Sequence, residues 1–257
     1  MIALLAVGCA RGARPDEPVD TYQARKQLAR ELVARQDWAG AFFYTDELHR
    51  QRPEDAEVLV LRGIVYRERG LPAEAEADLK AAVAQDERSA QAHAALGILY
   101  DMTQRGDEAE GHHRKATTLA PTDPRSLNNL GFSLFLRGKH GDAVEAYRRA
   151  VRLAPTSRRI RTNLGFALAA HGDLPRAARE FEMGGTPAEA KNNLGFAYEQ
   201  RGDLKNAFDL YVAAVRLDPR YAKARVKLTH VASKLGKPIP EGIPEPPAAR
   251  SGESAKP

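Results

Sequence analysis

The chain has 257 residues, 43% of them hydrophobic and 28% charged, with 39 Lys and Arg against 34 Asp and Glu for a formal charge of +5. That length accommodates one or two globular domains or a repeat array, and the mild basic surplus permits acidic or anionic-lipid partners without demanding them. The single cysteine, Cys9, excludes a disulfide framework and a multi-cysteine metal site.

From Ile2 to Val7 the chain is apolar, too short to span a bilayer, and Gly8, Cys9 and Ala10 follow. Residues 1–8 read as the end of a signal peptide. The stretch Leu5-Ala6-Val7-Gly8-Cys9 resembles the lipobox of bacterial lipoproteins, which implies that Cys9 is acylated and becomes the mature N-terminus. Ala6 departs from the Leu usual at its place, and no Lys or Arg precedes the apolar run, so the natural start is expected upstream. An incidental Cys is the alternative. Residues 9–20, with Pro15 and Pro18, form a lipidated Cys and spacer.

Beyond Asp20 the sequence repeats. Asn-Leu-Gly-Phe occurs three times, ending at Phe132, Phe166 and Phe196, and its glycines Gly131, Gly165 and Gly195 are 34 and 30 residues apart. Stepping back by 34 reaches Gly97, Gly63 and Ala29, which defines six units starting near Tyr22, Ala56, Ala90, Pro124, Arg158 and Ala188. Twelve residues after each of these small residues stands an alanine: Ala41, Ala75, Ala109, Ala143, Ala177 and Ala207. Four units also carry a proline after the second apolar stretch, at Pro53, Pro121, Pro155 and Pro219.

Apolar spacing within a unit is helical. Leu127, Leu130, Gly131 and Leu134 fall on one helix face, and Ala143, Tyr147 and Ala150 do so again after a break at Gly138. Gly131 and Ala143 leave room for the two helices to approach closely, and the proline ends the second helix because it lacks an amide. Neither hairpin buries its apolar face alone, so stacking must supply the core. Period and pattern resemble the tetratricopeptide repeat. The resemblance implies an all-α, right-handed superhelical solenoid of six helix-turn-helix units over residues 21–235, closed by a capping helix at 221–235.

Departures mark special places. The first unit adds Trp38, Phe42 and Phe43, expected as extra packing for an end unit. Arg62 in the second unit occupies a position where the others have Leu, and Glu87 replaces the proline. The fifth unit is four residues short and ends at Met183-Gly184-Gly185-Thr186-Pro187. Residues 236–257, with six prolines after Gly236, are expected to form a disordered or extended tail.

In the family the first helix of each unit lines a concave face, through positions two, five, six, nine, twelve and thirteen. The resemblance thereby assigns Asn129, Asn163 and Asn193 at position six and Phe132, Phe166 and Phe196 at position nine to partner binding, with Phe135 and Leu136 adding apolar area. An Asn amide offers the donor and acceptor that an extended peptide backbone needs. Two alternatives stay open: Asn side chains bonded between units, and phenylalanines wedged between helices as core. The carboxylate-clamp version of the fold needs Lys and Asn early and Lys and Arg later; Lys26 is present, but Arg30, Leu61 and Ala95 break that pattern.

Six arginines, Arg148, Arg149, Arg152, Arg158, Arg159 and Arg161, crowd the junction of the fourth and fifth units, either as a solvated face or toward phosphate groups or an acidic partner. Adjacent histidines His112 and His113 point about 100° apart on a helix, which disfavours one shared metal. No phosphate loop, nucleophile elbow or His-Glu-x-x-His pair occurs. The expectation is a non-enzymatic interaction scaffold with no cofactor, no metal and no nucleic acid. With its lipobox-like start the chain resembles bacterial outer-membrane lipoproteins of this repeat class, among them the pilotins of type IV pili and the TadD family of Tad (Flp) pili. That implies a lipid anchor on the periplasmic face and a secretin or other pilus component as partner. A periplasmic adaptor for cell-envelope enzymes and a cytoplasmic scaffold are the alternatives.

Overall fold

The computed structural model describes residues 21–243, so Cys9, the signal-like segment, the spacer and residues 244–257 lie outside the described residues. Among the described residues there are thirteen α-helices and no strand. The chain divides into two compact units, residues 1–86 and 87–257. In the first unit the helices are α1 (Thr21–Ala34), α2 (Trp38–Gln51), α3 (Ala56–Glu68) and α4 (Pro72–Gln85). In the second they are α5 (Ala90–Met102), α6 (Gly106–Leu119), α7 (Pro124–Leu136), α8 (His140–Leu153), α9 (Arg158–His171), α10 (Leu174–Gly184), α11 (Pro187–Gln200), α12 (Leu204–Leu217) and α13 (Ala222–Leu235). This is the all-α array of six helix-turn-helix repeats and a terminal helix that the periodicity predicts.

Each hairpin closes on a small residue. A methyl group added at Gly131 would lie 2.9 Å from the Tyr147 ring, and one at Gly165 would lie 2.5 Å from Phe181, so only glycine lets the second helix bring its large side chain onto the first. The same relation joins Gly63 to Leu79, Gly97 to His113 and Gly195 to Tyr211. Tyr147, Phe181 and Tyr211 are almost wholly buried there, as are the alanines Ala143, Ala177 and Ala207. The turns within the hairpins need a left-handed residue, supplied by Gly70, Gly138, Gly172 and Gly202 but by Gln36 and Gln104 in the first and third repeats. Side-chain caps then start the helices, with Asp55, Ser89, Asp123 and Ser157 accepting from first-turn amides of α3, α5, α7 and α9.

In the first unit Tyr22, Ala29, Leu48, Val58 and Leu61 form the apolar core. Arg62, the residue that stands where other repeats have Leu, is buried and reaches Asp78 with two parallel bonds, Nε to Oδ2 at 2.7 Å and Nη2 to Oδ1 at 2.8 Å. The guanidinium thus meets a carboxylate on α4, the helix paired with its own, and losing one partner of such a buried pair costs about 3–5 kcal/mol. Phe42 packs on Tyr66 with ring centroids 5.8 Å apart, whereas Phe43 is 64% exposed. Only part of the aromatic cluster therefore serves packing.

The second unit holds a core that runs from Leu130 and Leu134 through Tyr147, Leu164, Leu168 and Phe181 to Ala190 and Ala197, and another from Phe208 and Tyr211 to Leu228 and Val231. α10 has eleven residues against fourteen in α8 and α12, because Gly184 and Gly185 interrupt it. Beyond Gly236, in the segment expected to be disordered or extended, contacts continue through residue 243: Lys237 lies 5.2 Å above the Phe208 ring and Ile243 packs against the second core. Both residues had apolar or aromatic partners that composition alone does not reveal. No helix among the described residues is long and apolar enough to cross a membrane.

Candidate functional site

The first helices of the hairpins in the second unit, α5, α7, α9 and α11, together with α13, line three adjoining hollows. The first, of about 400 Å³, is bounded by Ile98 and Met102 of α5, Asn129, Phe132 and Leu136 of α7, and Asn163 of α9. A second, of about 330 Å³, lies between Asn163 and Asn193, with Thr162, Arg159 and Glu189 at its walls. The third, of about 380 Å³, has Phe166 of α9, Asn192, Asn193 and Phe196 of α11, and Lys223, Val226 and Lys227 of α13. Asn163 borders the first two hollows and Asn193 the last two, so the three form one trench.

The residues assigned from sequence fall along this trench with one exception. Phe132 is 46% exposed in the first hollow, beside Leu136 at 56% and Met102 at 60%, which makes an open apolar shelf. Phe166 and Phe196 meet edge to face in the third hollow, with centroids 5.9 Å apart, and Phe166 also leans on the buried Phe181 at 4.9 Å. Phe166 thus serves wall and core at once. Phe135 is the exception: it packs against the core and stacks near the His140 ring at 5.3 Å.

The amides divide in the same way. Asn163 donates through Nδ2 to Oδ1 of Asn128 at 2.9 Å, a bond between successive repeats that leaves its own carbonyl oxygen free of that contact. Asn193 accepts from Asn192 Nδ2 at 3.3 Å, and Asn129 accepts from Asn128 Nδ2 at 3.5 Å. Asn192 is 9% exposed and its Oδ1 is buried without a hydrogen-bond partner, on the wall of the third hollow.

Sequence reasoning passed over Asn128, Asn192 and the α13 wall. Asn128 and Asn192 occupy position five, which the family rule names, but the Asn-Asn doublets drew attention to position six alone. For α13 the signal was the period itself: one 34-residue step from Ala188 makes Ala222 position one, which places Lys223, Val226 and Lys227 at positions two, five and six.

Charge at the third hollow is arranged by α13. Lys227 Nζ sits 4.8 Å over the Phe196 ring and 3.3 Å from Glu199 Oε2. Burial pushes the Glu199 carboxyl up, but hydrogen bonds from Tyr211 and Lys227 outweigh it and hold the group below the usual range. Glu199 therefore stays charged and anchors Lys227 beside the apolar wall, while Lys223 is exposed at the rim. In the first unit Lys26 is 8% exposed and bonded to Asp55 at 2.9 Å, so its charge is already neutralised and not offered to a ligand. His113 is buried against Gly97 with Nε2 3.0 Å from Asp101, and His112 Nδ1 is 2.9 Å from His93 Nδ1; no group of three metal-ligating side chains occurs among the described residues.

Tetratricopeptide repeat models match residues 60–124 and 188–221, and a TPR repeat model matches residues 133–172. Among curated proteins, the chain is 32% identical over 135 residues to the TPR repeat-containing protein PA4667 of Pseudomonas aeruginosa, covering 52% of this chain and 22% of that protein. It is 30% identical over 94 residues to the type IV pilus assembly protein PilF of the same organism, 37% of each chain. The matched part is thus about a fifth and just over a third of those relatives' lengths. Among solved structures, PilW, described as a widely conserved type IV pilus biogenesis factor, superposes with a TM-score of 0.69 at 19% identity, over 82% of this chain and 98% of that one. Pseudomonas aeruginosa PilF gives 0.65 at 19% identity over 82% and 98%. YrrB, a TPR protein with an unusual peptide-binding site, gives 0.56 at 22% identity over 71% and 96%. At such identities the structures speak for the fold alone.

Proposed function

We propose, from the premise that the chain is a tetratricopeptide repeat protein, that it is a non-catalytic interaction scaffold which holds an extended segment of a pilus or secretion component in the α5–α13 trench. The observation that carries this reading is the third hollow. Phe166, Phe196 and Val226 offer an apolar wall, Val226 being 69% exposed, and the side chains of Asn192 and Asn193 line the same hollow. An extended peptide alternates backbone polar groups and side chains, and these two kinds of surface match the two. The 30% identity to a type IV pilus assembly protein supports the choice of machine. In the same reading Cys9 carries the lipid that holds the protein at the periplasmic face of the outer membrane, and a secretin is the partner.

The test is a photo-crosslinking amino acid at Val226, expressed from the native gene in its own cells. The expected product joins the protein to a secretin or another pilus component and disappears when Phe196→Ala is added. Crosslinks unaffected by Phe196→Ala would remove the trench from the reading. A cell-envelope enzyme as the product would replace the pilus role with that of an envelope adaptor.

A further inference from the structure

A second cleft, which shares no residue with the trench, opens between α8 and α10 over α9. Its floor is apolar, made of Val151, Leu164 and Leu168, with Met183 at its edge 54% exposed, and its volume is about 430 Å³. Four arginines stand around it: Arg148 and Arg152 from α8, Arg176 and Arg179 from α10. Arg176 pairs with Asp173 at 3.3 Å, and Glu180, the acid in the cleft, is taken by Arg161 at 2.8 Å. Arg148, Arg152 and Arg179 have no ion pair among the described residues, so three positive charges surround an apolar floor uncompensated. This is part of the arginine-rich stretch visible in the sequence, but Arg176 and Arg179 come to it only through the hairpin.

We propose that this cleft is a binding site for an acidic peptide segment that carries an apolar side chain. Guanidinium groups match carboxylates in planar, two-bond geometry, and a concave apolar floor of this size takes a Leu, Met or Phe side chain. A flat anionic membrane would meet the arginines and leave the floor empty, which favours the peptide. The inference does not rest on the trench reading.

The test measures fluorescence anisotropy of a fluorescein-labelled peptide, DELDELDE, with the full chain at low salt, beside a control in which every Asp and Glu is replaced by Asn and Gln. The acidic peptide should bind saturably, weaken steeply with added salt, and lose at least tenfold in affinity in the variant Arg148→Gln/Arg152→Gln/Arg179→Gln. Val226→Ser, in the trench, should leave binding unchanged, and the triple variant should melt as the parent does because its changes are on the surface. Absence of saturable binding, equal binding of the neutral control, or full binding by the triple variant overturns the proposal. If vesicles containing phosphatidylglycerol bind through the three arginines while the peptide does not, the cleft is a membrane contact and the peptide site is disproved.

Discussion

Nδ2 of Asn163 donates to Oδ1 of Asn128 across 2.9 Å, tying one repeat to the one before it through side chains that both border the first hollow of the trench. Asn128 is 5% exposed, so removing its donor leaves a buried acceptor without that bond. Asn163→Ala should therefore lower stability by about 1–3 kcal/mol in denaturant melts, whereas Asn129→Ala, whose amide has only a 3.5 Å contact, should stay within about 0.5 kcal/mol. Equal melting of the two variants would mean that the inter-repeat bond contributes nothing.

The phenylalanines that share one sequence position should behave unequally. Phe132 is 46% exposed, so Phe132→Ala should leave melting nearly unchanged, within about 0.5 kcal/mol. Phe166 is half-buried against Phe181 and Phe196, and its loss should cost about 2 kcal/mol, below the range for a fully buried ring. Thermal melts of both variants decide this, and equal losses would show that the shared sequence position, not the local packing, sets the cost.

These two comparisons show where the sequence was informative and where it was not. Helix pairs were legible because their signals are local: a small residue at fixed phase, an alanine twelve positions later, a glycine turn. The large partner of each glycine, such as Phe181 beneath Gly165, varies among Leu, His, Tyr and Phe and so escapes a search for repeated letters. Division of labour within the Asn-Asn doublets was equally hidden, because it depends on which amide faces the preceding repeat. The cleft between α8 and α10 needed the stacking of two repeats, with α9 between them, to put Arg179 and Arg152 around one floor.

Turn chemistry offers a stabilising change. Gln104 adopts φ 61° where the corresponding turns in later repeats have glycine, and a side chain in the left-handed region is strained. Gln104→Gly should raise stability by about 0.5–1 kcal/mol, the strain relieved being partly offset by the freer unfolded chain. Gly138→Ala, the reverse change at φ 72°, should lower it by about 1 kcal/mol. Denaturant midpoints measured on both variants test the pair, and a loss on Gln104→Gly would show that the Gln side chain itself contributes more than its backbone costs.

In the proposed lipoprotein reading membrane attachment depends on Cys9, since an acylated Cys requires no spanning helix. In cells carrying the native gene with its natural start, Cys9→Ser should move the protein from the membrane pellet to the soluble fraction. Unchanged fractionation would end the lipoprotein proposal while leaving the trench untouched.

Stability of the first unit should depend on pH through His49. His49 has a buried Nδ1 with no hydrogen-bond partner, and burial, reinforced by the nearby Arg62 charge, holds its pKa below the ordinary 6.5 despite opposing pulls from Asp78 and Asp46. A histidine whose folded-state pKa is depressed is neutral in the fold and takes up a proton more readily when unfolded. Its contribution to stability is thus fully present above pH 6.5 and is lost as pH falls below that value toward the folded pKa. Carboxylates held low in the same unit, Asp55 and Glu57, act only at still lower pH, beneath their ordinary 3.8 and 4.5. Chemical denaturation between pH 7.5 and 5 should accordingly show stability falling with pH, and His49→Gln should flatten part of that fall because glutamine takes up no proton. Parallel pH profiles for the parent and His49→Gln would show that His49 titrates alike in both states, and the buried-histidine account would fail.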